Sequence, residues 1–249
     1  MRVLRLATLG SMSVATAATL VIVSLRDPGR RFGFGLGDCE AHHPGIVAQP
    51  VLAWTALGLV GAGVWMAWTW DRIDPAGAAA VALATATAGL ASFTAHATLA
   101  GGAAVWDAAA VAALLAVIAI RTAGGAWWHH VVAIAGVVTI ALTAPAVLEA
   151  LGLGAALVAV GVLGTTHRRA ARTLRWGLVA AALATAGLAL WALGRTGAAL
   201  CDPDTPWQPH GAWHVLAAAA LAAVHLHLAG PAGHTPGGGL RSGSPHEAS

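Results

Sequence analysis

Pro209-His210-Gly211-Ala212-Trp213-His214 opens the last apolar run of the chain, which continues from Val215 to Ala229. Two histidines four positions apart on a helix share one face, about 6 Å apart along the axis. Imidazoles at that spacing can ligate one metal ion from a single helix. About 20 apolar residues are enough to cross a bilayer. Inside a membrane an ionisable side chain is costly, so it is a functional candidate. The other unusual polar residues are Ser92, His96 and Asp107, each set in its own apolar surroundings.

Composition agrees with a membrane chain. Of the 249 residues, 58% are hydrophobic and 9% charged, against roughly 25% charged in a soluble domain. There is no lysine and no tyrosine, and alanine and glycine abound. Every basic residue is therefore an arginine, and the arginines sit in short connections. No basic patch is interleaved with aromatics, so nothing points to nucleic acid. No protein partner can be inferred.

Working outward from the last run, the apolar segments are Leu6–Leu25, Pro50–Trp70, Ala76–Ala100, Ala103–Ile120, Trp127 to about Ala144, Ala150–Thr166, Trp176–Gly194 and His210–Ala229. Gly101-Gly102 reads as a short turn, and His167–Arg175 as a basic loop. Residues 1–25 are a retained helix or a signal peptide. Residues 26–49 are an extracytoplasmic loop, 50–229 the seven-helix core, and the Gly-, Pro- and Ser-rich residues 230–249 a disordered tail. The expected fold is an all-α membrane protein, a seven-helix bundle with one additional N-terminal helix.

Orientation follows from the arginines. An inside N-terminus puts nine of them in the cytoplasm (Arg2, Arg5, Arg72, Arg121, Arg168, Arg169, Arg172, Arg175, Arg241) and four outside (Arg26, Arg30, Arg31, Arg195). The protein is then a multi-pass cell-membrane protein. His96, Asp107, His210 and His214 all fall near the outer end of their helices, at one depth, as one site requires. Tryptophans near the helix ends, such as Trp70, Trp106, Trp127 and Trp176, fit an interfacial belt. Cys39 and Cys201 both lie in outer loops, where a disulfide can form. Two free thiols are the alternative.

The residue types define a chemistry. Three histidines and a water make an open tetrahedral zinc site of the catalytic kind. Ser92 and His96 share a helix face, and Asp107 follows His96 by eleven residues across a tight connection. A carboxylate beside the water can act as general base, and a hydroxyl can donate to an oxyanion. The expected reaction is metal-assisted hydrolysis of an acyl bond in a membrane lipid. Each residue also has a plainer use. His96 can be a hydrogen-bonded core residue, Asp107 an N-terminal cap, and Ser92 a donor to its own helix. His225 lies roughly 16 Å along the helix from His214 and cannot share the ion. No His-Glu-x-x-His or Gly-x-Ser-x-Gly occurs.

Ser92-x3-His96, then Asp107, and His210-x3-His214 late in the chain resemble the motif set of the alkaline ceramidase family. That family belongs to a superfamily of seven-helix intramembrane hydrolases that includes the adiponectin and progestin receptors. Asp38-Cys39-Glu40 ahead of Gln49-Pro50 resembles its N-terminal cysteine-acidic motif, and Cys201 its bridging cysteine. The resemblance covers about Gly37 to Ala229. It implies zinc held by His96, His210 and His214, with Ser92 and Asp107 catalytic. It further implies cleavage of ceramide to a sphingoid base and a fatty acid. Eukaryotic members carry Asp-Trp-Cys-Glu, an Asn and a later Glu that bind calcium. Here the run is Gly37-Asp38-Cys39-Glu40, with His42 and Gln49 near the later positions. Calcium takes six to eight oxygen ligands, and this loop offers few, so the resemblance weakens there.

Two other classes remain open at this stage. Helical histidines such as His96 and His214 could be axial ligands of a haem in a membrane electron carrier. A receptor-like protein could keep the metal site without turnover. A transporter is less expected, since there is no internal repeat and no interrupted helix pair.

Overall fold

The computed structural model describes residues 7–8, 10–12, 37–69, 75–144, 147 and 171–229. Most of Leu6–Leu25, the expected span Ala150–Thr166 and the tail 230–249 lie outside the described residues. Those residues form six long helices: α1 Pro50–Trp68, α2 Pro75–Thr98, α3 Gly101–Thr122, α4 Trp127–Thr143, α5 Ala171–Leu193 and α6 Pro209–Ala229. Five of them are long and apolar enough to cross a membrane, and α4 is apolar but shorter. The chain is an all-helical, multi-pass membrane protein over the described residues.

α1 packs most closely on α2, and α5 on α6; α2 also packs on α3, and α1 on α6. In lipid, apolar burial gives helices little reason to associate, so small residues that let backbones approach carry the packing. Gly89 of α2 is such a contact. A Cβ there would stand 2.9 Å from the Ala56 carbonyl oxygen and 2.9 Å from the Leu59 Cβ. Gly63 of α1 answers it, with the Ala82 carbonyl oxygen 2.7 Å from where its Cβ would be. On the other side Trp213 of α6 lies over Gly187 of α5. Thr55, Thr85, Thr94 and Thr98 each donate to the carbonyl four residues back, which hides their hydroxyls within the helix.

Outward faces are apolar. Val131, Val132 and Leu142 of α4 and Leu178 of α5 are exposed, as are Trp106, Trp127, Trp128 and Trp176. In a bilayer these side chains meet lipid or its interface.

Two connections differ from the sequence expectation. The turn after α2 is Leu99-Ala100, and Gly101-Gly102 is already the first turn of α3. Leu99 takes a left-handed conformation, φ +52°, a position that favours glycine. Its side chain is fully buried, so packing sets the turn there. At α5 the helix starts at Ala171, so Ala171 to Arg175 are helical and do not belong to a basic loop. Hydropathy marks where a segment enters lipid, not where its helix starts. Arginine is a good helix former and nothing in the run breaks one.

Candidate metal centre

Two helices deliver the histidines. His96 comes from the last turn of α2, and His210 and His214 from the first two turns of α6. Pro209 begins α6, where its missing N–H is no loss. Their ring centroids are 5.1 Å (His96–His210), 5.5 Å (His96–His214) and 4.9 Å (His210–His214) apart. One nitrogen of each lies within 4.8 Å of the others. Tetrahedral zinc with Zn–N near 2.1 Å needs nitrogens roughly 3.4 Å apart, which small ring rotations supply. This buried trio can hold a metal ion.

Each ring is gripped at Nδ1. His210 Nδ1 donates to Asp38 Oδ1 at 2.8 Å. His96 Nδ1 donates to Gln49 Oε1 at 2.9 Å, with Asp38 Oδ2 3.7 Å away. His214 Nδ1 is 3.1 Å from Thr55 Oγ1, whose own proton goes to the Val51 carbonyl 2.7 Å away. Gln49 Nε2 donates to the Glu40 carbonyl, which turns Oε1 toward His96. An acceptor at every Nδ1 fixes the Nδ1–H tautomer and leaves Nε2 with its lone pair for a metal.

Two of these grips, Asp38 and Gln49, come from the loop Gly37–Gln49, and the third, Thr55, from α1. The loop is tied down where it passes over the helix ends. Cys39 is disulfide-bonded to Cys201. Asp38 pairs with Arg195 as an isolated β-bridge, and Thr196 N–H donates to the Gly37 carbonyl. Gln49 and Ala48 N–H groups donate to the carbonyls of His96 and Ala97. Buried Glu40 uses both carboxylate oxygens on the N–H groups of Val51 and Leu52, at 2.8 and 2.9 Å, capping α1.

The remaining candidates converge here. Ser92 Oγ lies 3.3 Å from His214 Nε2, so the hydroxyl reaches across to α6. Asp107 meets the Ser92 side chain and lies in the field of His210 and Asp38. It is the seventh residue of α3, whose N-cap is Ala100 with no side-chain cap bond; Asp107 therefore does not cap the helix. Its Oδ1 is buried and has no hydrogen-bond partner. The structure thus brings Ser92, His96, Asp107, His210 and His214 together. It leaves His42 and His43 exposed, and sets His225 apart against Thr69 and Trp65.

Sequence reasoning missed Thr55, and it treated Asp38 and Gln49 only as loop residues of a calcium motif. The signal for Gln49 was its place just before the Pro50 helix start. For Thr55 there was none. Comparison with protein-family models, with curated proteins and with solved structures returned no match.

Proposed function

We propose that this protein is a zinc-dependent intramembrane hydrolase of the alkaline ceramidase type, cleaving the amide of ceramide or a related N-acyl lipid. The observation that carries the reading is the convergence of three Nδ1-held histidines with Ser92 and Asp107 at one end of an apolar bundle. Neutral imidazoles are a zinc-type donor set. Three protein ligands leave a fourth position open for chemistry. The reading includes a seven-helix core with one extra N-terminal helix, and a site on the extracytoplasmic side.

Zinc in such a site polarises a carbonyl and lowers the pKa of a neighbouring water toward about 7. His96, His210 and His214 would hold and orient the ion. Asp107 Oδ1 takes a proton from the attacking water, whose oxygen bonds to the amide carbon. The Ser92 hydroxyl donates to the carbonyl oxygen as it becomes an oxyanion. When the C–N bond breaks, the carbonyl reforms and Asp107 passes its proton to the leaving nitrogen. A fatty acid and an amine depart, and Asp107 is again ionised. The apolar helix faces let a lipid reach the site from the bilayer.

A haem between His96 and His214 fits the geometry less well. The His210 ring stands 5.1 and 4.9 Å from theirs, where a flat macrocycle would have to lie. A colourless preparation without a Soret band would agree. A receptor-like protein would bind zinc and release no fatty acid from any N-acyl lipid.

The test is fatty-acid release from N-acyl lipids by detergent-purified protein, wild type beside His214→Ala. The variant should lose both zinc and activity. Full activity in His214→Ala would overturn the reading.

A further inference from the structure

Asp38 is placed to do something the hydrolase chemistry above leaves unassigned. Its Oδ1 accepts from His210 Nδ1 at 2.8 Å, and its Oδ2 stands 3.7 Å from His96 Nδ1. One carboxylate therefore faces two of the three histidines, on two different helices. The Asp38 side chain is largely buried, 13% exposed, so little water competes for it.

The backbone around it is fixed independently of this side chain. The Asp38 carbonyl accepts from Thr196 Oγ1 at 3.0 Å, and the flanking Gly37 carbonyl from Thr196 N–H. The next residue, Cys39, is bonded to Cys201, eight residues before Pro209 opens α6. The loop that carries the carboxylate is thus covalently joined to the segment leading into the helix that carries His210. Gly37 also lies against the Arg195 guanidinium, whose nearest nitrogen is 2.9 Å from where a Cβ would stand.

We propose that Asp38 is the positioning residue of the metal site: by accepting the His210 Nδ1 proton it presets that ring with the Nε2 lone pair available to the ion, while its second oxygen faces the His96 ring that Gln49 holds. The inference rests on the zinc reading above and extends it to the residue that sets affinity. Asp38 is not a ligand itself here. It acts through His210, as a carboxylate behind a metal-bound imidazole does, holding its tautomer and raising its basicity. Glu40, two residues on, has both oxygens engaged by the N–H groups of Val51 and Leu52. The two acidic residues of the loop therefore have separate tasks, one at the histidines and one at the start of α1.

The tautomer gives a readout that mere stability does not. A free neutral imidazole favours the proton on Nε2, the nitrogen the metal needs. Without Asp38, His210 in the metal-free protein should move toward that form, and zinc would have to displace the proton.

The experiment compares full-length wild type, Asp38→Asn and Asp38→Ala, purified in detergent. Zinc affinity is measured by chelator competition on metal-free protein, and the His210 tautomer by its ring 15N shifts. Wild type should show the Nδ1–H form and bind zinc. Asp38→Ala should bind about 10–100-fold more weakly and shift toward Nε2–H. Asp38→Asn, which keeps an acceptor but no charge, should fall between. Gln49→Ala gives a second arm at His96, with a zinc loss that leaves the His210 tautomer unchanged. Unchanged zinc affinity and an unchanged tautomer in Asp38→Ala overturn the proposal. Calcium-dependent zinc binding in wild type that vanishes in Asp38→Asn would overturn it too, by making Asp38 a calcium ligand. Failure of the wild type to bind zinc would instead remove the hydrolase reading beneath it.

Discussion

His214 shows how far a side chain's use depends on neighbours remote in sequence. Its Nδ1 faces Thr55, 159 residues away, and its Nε2 faces Ser92, 122 residues away. The histidines, Ser92 and Asp107 were legible because a polar group in an apolar run is conspicuous by itself. Asp38, Gln49 and Thr55 were not, because each is ordinary in its local sequence. Asp38 sits in a polar loop, and Thr55 in a helix, where a threonine commonly bonds its own backbone as Thr55 does with Val51. Their role exists only once the chain brings together residues 172, 47 and 159 apart. On this account Asp107→Asn should keep its zinc and lose about 10²–10⁴-fold in kcat. Metal analysis and fatty-acid release on the same preparation check both halves. Glu40→Ala should leave α1 uncapped and the buried Leu52 N–H unsatisfied, lowering stability by about 1–3 kcal/mol. A detergent melt reads that loss, and zinc saturation of the folded variant shows that the site survives it.

Helices were the most legible level. Long apolar runs with prolines at Pro50 and Pro209 located α1 and α6 to within a residue or two. Two boundaries were missed for reasons hydropathy cannot see. Buried Leu99 holds a left-handed turn ahead of a glycine pair, and α5 begins before its apolar part. Close packing between α1 and α2 sets the position of His96, and its tightest points are glycines. Gly89→Ala should lower stability by roughly 1–3 kcal/mol through overpacking, read as an earlier melt, since three atoms stand within 2.9 Å of the new Cβ. Gly61→Ala, on the same pair of helices with nothing within 4 Å, should be neutral or slightly stabilising. Equal melts for the two would mean that α1 and α2 are not packed through Gly89. Reduction of Cys39–Cys201 should loosen the loop without melting the helices. Thiol treatment is therefore expected to weaken zinc binding while far-ultraviolet circular dichroism stays constant.

At the scale of the whole molecule, five helices among the described residues are long and apolar enough to span a bilayer, and three of them, α2, α3 and α6, bring the candidate groups together at one end. Sequence reached this level through arithmetic on arginines and through depth, since His96, Asp107, His210 and His214 fall near the same membrane face. It could not assign the grips between loop and helices, which need distances. The topology implied by the arginine count predicts that a reporter fused after Arg175 is cytoplasmic and one fused after Pro203 is outside. Fusions with the opposite activities would invert the account and place the site at the inner face.

The central claim is that His96, His210 and His214 bind one zinc. Its most direct test is elemental analysis of the detergent-purified protein, wild type beside His210→Ala. About one zinc per chain in the wild type, falling to a small fraction in the variant, is the result predicted. Wild-type protein without zinc, or zinc retained in full by His210→Ala, would contradict it, and the catalytic roles of Ser92 and Asp107 would fall with it.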